Sequence, residues 1–220
     1  MKSKQQGKNH LSQPGKNQIG APMSTENQNL LQAKRMILIG ATGRNSGKTT
    51  LALQIINAFQ NKVPIIAFKL ITVRDHEDIC PRGGHGCGIC KGLKGCFDIT
   101  EENGTGNKDT MVMKKAGAKH VYLIRSLKEH VREALEEALK AVPEGALILC
   151  ESNSARLSVE PACFIMIQSS TASSIKPTAE AVMAYADVVL PQDEAAFAEF
   201  VQDQLPGKIG INLSINSAED

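Results

Sequence analysis

The sequence holds no tryptophan, two tyrosines and six phenylalanines in 220 residues. That is too few rings for the aromatic platforms on which single-stranded nucleic acids stack. Surplus charge is missing as well. Of 25 basic and 23 acidic residues, residues 1–33 hold four lysines and one glutamate, which leaves 21 and 22 for the rest of the chain. A nucleic-acid-binding surface is excluded on charge. No apolar run approaches the roughly 18 residues that a membrane-spanning helix needs. No apolar stretch follows the basic N-terminus, so a cytoplasmic protein without an export signal is expected. In that setting the six cysteines point to thiolates, metal ligands or buried small side chains rather than disulfides. There is no internal repeat.

What is present suits one α/β domain. Residues 1–34 are polar, Gly- and Pro-bearing, and too poor in apolar surface to offset the entropy of ordering, so a disordered tail is expected there. From residue 35 to 220 short apolar runs alternate with helical patterns. Met36 to Gly40, Val63 to Ile71, His120 to Ile124, Ala146 to Cys150, Cys163 to Ile167 and Val188 to Leu190 read as strands. Thr49 to Phe59, Asp109 to Ala116, Leu127 to Val142 and Glu194 to Gln204 read as helices, with a possible edge strand at Lys208 to Leu213. Continuous apolar strands alternating with helices predict a doubly wound, mostly parallel sheet covered on both faces. A Gly- and Cys-rich insertion occupies about 72–105.

The run from Gly40 to Thr50, GATGRNSGKTT, follows the first strand and opens the first helix, the context a phosphate-binding loop requires. Glycines let the backbone approach an anion, and the amides of the helix start face it. Gly43, Asn45, Ser46, Gly47, Lys48, Thr49 and Thr50 are the expected nucleotide contacts. Lys48 supplies charge to the β and γ phosphates and Thr49 a hydroxyl to Mg²⁺. The strict pattern asks for glycine where this chain has Thr42. A glycine-rich turn with an exposed lysine is the plain structural alternative.

Arg44 to Leu51, Lys69 at the end of the second strand, Lys108-Asp-Thr and Ala116-Gly-Ala together resemble the MobB-type family of P-loop GTP-binding proteins, which act in biosynthesis of the molybdopterin guanine dinucleotide form of the molybdenum cofactor. The resemblance spans about Met36 to Ser126, with a looser echo at Glu151. It implies a P-loop NTPase fold, Mg²⁺-dependent nucleotide binding, a homodimer, and partnership with a cofactor-assembling protein or molybdoenzyme. It also sets Asp109 against the nucleotide. The chain departs from the family where its Cys-rich insertion displaces an expected His-rich stretch.

Cys80, Cys87, Cys90 and Cys96 fall within 17 residues. Their C-x-x-C pair presents two thiolates to one ion, and four thiolates suit tetrahedral Zn²⁺ or, alternatively, an iron–sulfur cluster. His76 and His85 are substitute ligands. Cys150 and Cys163 lie in apolar runs and read as core. Glu151 stands at a strand's carboxyl end, where open α/β sheets build their sites, and is a candidate Mg²⁺ ligand or simply a solvated terminus. Lys69 is a candidate phosphate contact. Asp109 is either a helix-start residue or an organiser of Mg²⁺ or the attacking water. Asp75, Glu77 and Asp78 lie in a charged loop near the same edge. Ser169 to Pro177 has no Asn-Lys-x-Asp guanine signature, so GTP and ATP both stay open. The leading expectation is slow nucleotide hydrolysis, with Lys48, Asp109 and Glu151 as the catalytic set. A P-loop kinase or ligase, and a nucleotide-switched adapter or metallochaperone, are the alternatives.

Overall fold

The apolar runs at Met36, Ile65 and Leu147 become strands buried on both sides, which ordinary alternating strands cannot be. The computed structural model describes residues 30–73, 93, 95–171 and 174–211. Within them the chain runs β1 (Leu31–Ala41), α1 (Lys48–Phe59), β2 (Ile65–Val73), β3 (Phe97–Glu101), α2 (Asp109–Lys115), β4 (His120–Leu127), α3 (Val131–Lys140), β5 (Leu147–Glu151), β6 (Val159–Gln168), α4 (Pro177–Met183), β7 (Val188–Pro191), α5 (Glu194–Glu199) and α6 (Leu205–Ile209). One seven-stranded sheet has the order β3-β4-β2-β5-β1-β6-β7. Every pairing is parallel except β3 with β4. This is an α/β fold with a mostly parallel sheet flanked by helices.

The two faces follow from alternation along each strand. Ile37, Ile39, Ala67 and Leu149 meet Leu51, Ile55 and Phe59 of α1, together with Phe197, Phe200 and Leu205 from the C-terminal helices. Met36, Leu38, Phe68, Cys150 and Phe164 meet Val131, Leu135 and Ala138 of α3 and Val182 of α4. Among the described residues no helix is long and apolar enough to cross a membrane.

Several boundaries differ from the sequence reading, among them the ends of β2 and β6 and the unforeseen helix α4, and four differences have a clear physical reason. The expected tail reached residue 34, yet β1 begins at Leu31, where its backbone pairs with Val159 of β6; polar side chains do not prevent backbone pairing. Phe97–Glu101, inside the expected insertion, is an antiparallel edge strand in register with β4. Leu127 closes β4, and a 3₁₀ turn at Lys128–His130 precedes α3, so the helix starts four residues later than its periodicity suggested. The edge strand expected at Lys208 to Leu213 is overturned where it is described. Lys208 and Ile209 belong to α6, which Gly210 ends at φ 66°, and Leu205 and Ile209, one helical turn apart, bury into the core. A π turn at Phe200–Gln204 joins α5 to α6, just ahead of Pro206, whose ring nitrogen cannot donate to an α-helical ladder.

Candidate active site

The loop between β1 and α1 is held from three sides. From β5, Asn153 accepts from the Ala41 amide at 2.8 Å and donates to its carbonyl at 3.0 Å. A Cβ on Gly40 would come within 2.8 Å of that same Asn153 Oδ1, so glycine permits the clamp. From β6, the Thr42 amide donates to the Ile167 carbonyl and the Thr42 hydroxyl accepts from the Ser169 amide at 2.8 Å. Thr42 therefore uses its side chain to anchor the loop, a physical reason for threonine where the strict pattern has glycine. From the far side, Gln192 donates to the Asn45 carbonyl at 2.9 Å and Lys176 to the Gly43 carbonyl at 2.6 Å. Asn45 at φ 52° and Gly47 at φ 82° take the left-handed turn into α1, and a Cβ on Gly47 would sit 3.0 Å from the Phe197 ring.

The first turn of α1 carries no acidic residue and no side-chain cap, so its amides and its positive dipole end stay available for an anion. It opens onto a cleft of about 440 Å³ lined by Asn45, Ser46, Gly47, Lys48, Thr49, Thr50, Lys69 and Asp109, with Gln192, Asp193, Glu194 and Phe197 across from them. The structure thus brings eight sequence-selected residues to one hollow. Gly43 is not among them; its carbonyl is turned to Lys176.

Two of the lining residues, Lys69 and Asp109, form a charged triad with Glu151, which does not itself line the cleft. Lys69 and Glu151 are direct register partners on the parallel strands β2 and β5, so their side chains leave the sheet on the same face. The Lys69 ammonium donates to Glu151 Oε2 at 2.5 Å and to Asp109 Oδ2 at 2.6 Å. The Glu151 side chain is 1% exposed, that of Lys69 16% and that of Asp109 51%. Among the described residues, Glu151 Oε1 is buried with no hydrogen-bond partner. Asp109 opens α2, aimed by a second device: Glu102 accepts from the Gly104 amide at 2.7 Å and from the Thr110 hydroxyl at 2.6 Å. These two bonds hold the Glu102 carboxyl below its usual range.

The charges tune one another. Burial lowers the affinity of Lys69 for its proton, but the Glu151 charge and the bonds to both carboxylates outweigh it and raise its value above 10.5. Burial pulls Asp109 upward, yet the Lys69 bond and charge, the Thr49 hydroxyl and the Lys48 charge hold it below its ordinary 3.8. Both groups are ionised at neutral pH.

The cysteine reading reaches little of the described chain. Cys80, Cys87 and Cys90, with Asp75, His76, Glu77, Asp78 and His85, lie outside the described residues. Cys96 is an exposed free thiol. Among the described residues no group of three or more ligating side chains is gathered for a metal. Cys150 and Cys163 are buried, and burial pushes each thiol up to about 12, in keeping with core packing. Sequence reasoning missed Asn153, Gln192 and Phe197. Only tertiary contact marks them, although Asn153 two residues past Glu151 was a visible polar signal at the same edge. Part of Ser169 to Pro177 does reach the site, at the loop's own backbone. Compared with known proteins, the chain matches no family model, no curated protein and no solved structure.

Proposed function

We propose that the protein is a P-loop NTPase that binds Mg²⁺ with GTP or ATP and hydrolyses it slowly. The observation that carries this reading is the convergence on one cleft of an uncapped helix start, Lys48, Thr49, Lys69 and Asp109, with buried Glu151 bonded to Lys69 behind them. The sheet order, with the β1–α1 loop at the carboxyl edge, supports the P-loop form of the fold.

The donor set suits a divalent cation. Thr49, Asp109 and Glu151 offer hard oxygens, and Glu151 Oε1 is a buried carboxylate oxygen that lacks a partner among the described residues. These three would hold Mg²⁺, which when bound neutralises charge on the phosphates. The α1 amides and Lys48 bind and orient the phosphate chain. Asp109 orders the attacking water, whose oxygen bonds to the γ phosphorus as the bridging P–O bond breaks and its proton leaves to phosphate and solvent. Lys48 stabilises charge on the departing β phosphate. Gln192, Asp193 and Phe197 bound the other wall.

By its resemblance to the MobB-type pattern, this turnover serves maturation or insertion of the molybdenum cofactor, with a protein partner and a homodimeric assembly. Calorimetric titration of the purified protein with Mg-ATP and Mg-GTP tests the nucleotide reading, and binding of neither sinks it. Elemental analysis of the same preparation tests the cysteines. About one zinc per chain is expected from four thiolates, and visible absorbance would replace zinc by an iron–sulfur cluster.

A further inference from the structure

Lys69 is oddly employed for a residue at a phosphate site. It faces the cleft, yet its ammonium is committed to two carboxylates on different elements, Asp109 at the start of α2 and Glu151 on β5. An isolated buried carboxylate is costly, and removing its only cation leaves that cost exposed. The two carboxylates also differ in freedom: Asp109 is half exposed while Glu151 is sealed, and among the described residues its Oε1 has no hydrogen-bond partner. Two negative charges held about one ammonium, with an unused buried oxygen, form a cation-binding arrangement already charged by the protein itself. The third donor, the Thr49 hydroxyl, reaches the same Asp109.

We propose that Lys69 is a built-in counter-cation for the Asp109–Glu151 pair, occupying it while no divalent ion is bound and competing with that ion for the same two carboxylates. This deepens the nucleotide reading and rests on it for the ion's purpose, but not for its binding. The competition follows from charge. Two carboxylates cannot fully compensate an ammonium and a divalent ion together, so occupation by one weakens the hold on the other. Lys69 released from the pair is a flexible four-carbon stem bearing a point charge at the wall of the cleft. The device keeps Glu151 compensated in the empty protein and makes a free phosphate-seeking cation available only when the ion is present.

Two measurements test this, with Mn²⁺ as probe. In the unaltered full chain, amine acetylation read by peptide mass spectrometry should show Lys69 protected without Mn²⁺ and labelled at least about fivefold faster with it. Lys140, 71% exposed, serves as the unaffected reference. In Lys69→Met, which keeps the stem and removes the charge, nucleotide-free Mn²⁺ affinity by electron paramagnetic resonance should rise at least about tenfold. Adding Glu151→Gln to that variant should abolish the gain. Labelling of Lys69 that ignores Mn²⁺ overturns the proposal, and that arm stands even if Lys69→Met does not fold. Unchanged or weaker Mn²⁺ binding in folded Lys69→Met overturns it too. Should neither ATP nor GTP bind while Mn²⁺ still unmasks Lys69, the nucleotide reading fails and the counter-cation stands.

Discussion

The ion pairs Arg125–Asp98 and Lys69–Glu151 each join neighbouring strands of the same sheet, and they are built to opposite specifications. Arg125 of β4 and Asp98 of β3 are direct register partners. The guanidinium meets the carboxylate as a fork, Nε to Oδ1 at 2.9 Å and Nη2 to Oδ2, with both side chains partly exposed. Lys69 of β2 and Glu151 of β5 are register partners too. There one ammonium serves two carboxylates, and among the described residues a buried oxygen goes unpaired. The first pair engages both acceptor oxygens and stiffens an edge. The second leaves Glu151 Oε1 without a donor among the described residues, the condition under which a protein can receive a cation. Pairing across strands alone does not make a site; incomplete satisfaction beside an open cleft does.

The contrast can be broken most forcefully through stability. Lys69→Ala strands Glu151 in the interior and should cost about 3–5 kcal/mol in urea unfolding, with most of it regained in Lys69→Ala/Glu151→Gln. A loss no larger than that of Arg125→Ala would erase the distinction between the pairs.

Next comes ligand affinity. Lys48→Ala should weaken Mg-nucleotide binding at least about a hundredfold, ~2.7 kcal/mol, with unchanged circular dichroism, while Arg125→Ala leaves calorimetric affinity as it was. Loss of affinity in both variants would mean that the edge pair also shapes the cleft. A smaller effect is expected on turnover. Asp109→Asn keeps the geometry of the α2 start but removes the charge, so phosphate release should slow about tenfold, ~1.4 kcal/mol of barrier. Normal turnover in that variant would return Asp109 to a structural role.

Arg125→Ala itself should cost only about 0.5–1 kcal/mol, a shift of a few degrees in melting temperature, because the pair is partly solvated. The finest discrimination is pH. Asp109 is depressed in the folded state, so its contribution is present above its ordinary value of 3.8 and lost as pH falls through the lower folded value. Lys69 is raised, so its contribution is complete below 10.5 and lost as pH rises through the higher folded value. Melting temperature followed across pH should lose the acid limb in Asp109→Asn and the alkaline limb in Lys69→Met.

Much of the architecture was legible beforehand because buried parallel strands are written as unbroken apolar runs, and the loop from Gly40 to Thr50 carries its chemistry in consecutive residues. The misreadings have a common cause. Leu31–Lys34 and Phe97–Glu101 are strands by virtue of the partners beside them, β6 and β4, and their own composition is polar enough to pass for loop. Lys208 to Leu213 reads as fit for a strand, but among the described residues the sheet ends at β7 and the apolar side chains of α6 are used at helical spacing instead.

By itself the sequence determined an α/β chain with helices between buried strands, a glycine-bearing turn into α1, and a lysine, an aspartate and a glutamate at predicted element ends. Local spacing and hydrophobic periodicity suffice for that, since each is a property of neighbours along the chain. Only the tertiary structure decided that Lys69 and Glu151, 82 residues apart, stand in register, and that Asp109 reaches the same ammonium. It also decided that Gln192, Asp193 and Phe197 close the opposite wall and that Asn153 locks the loop. Strand order and register are set by packing between distant segments. A charge becomes buried, shared or left short of partners only when those segments meet.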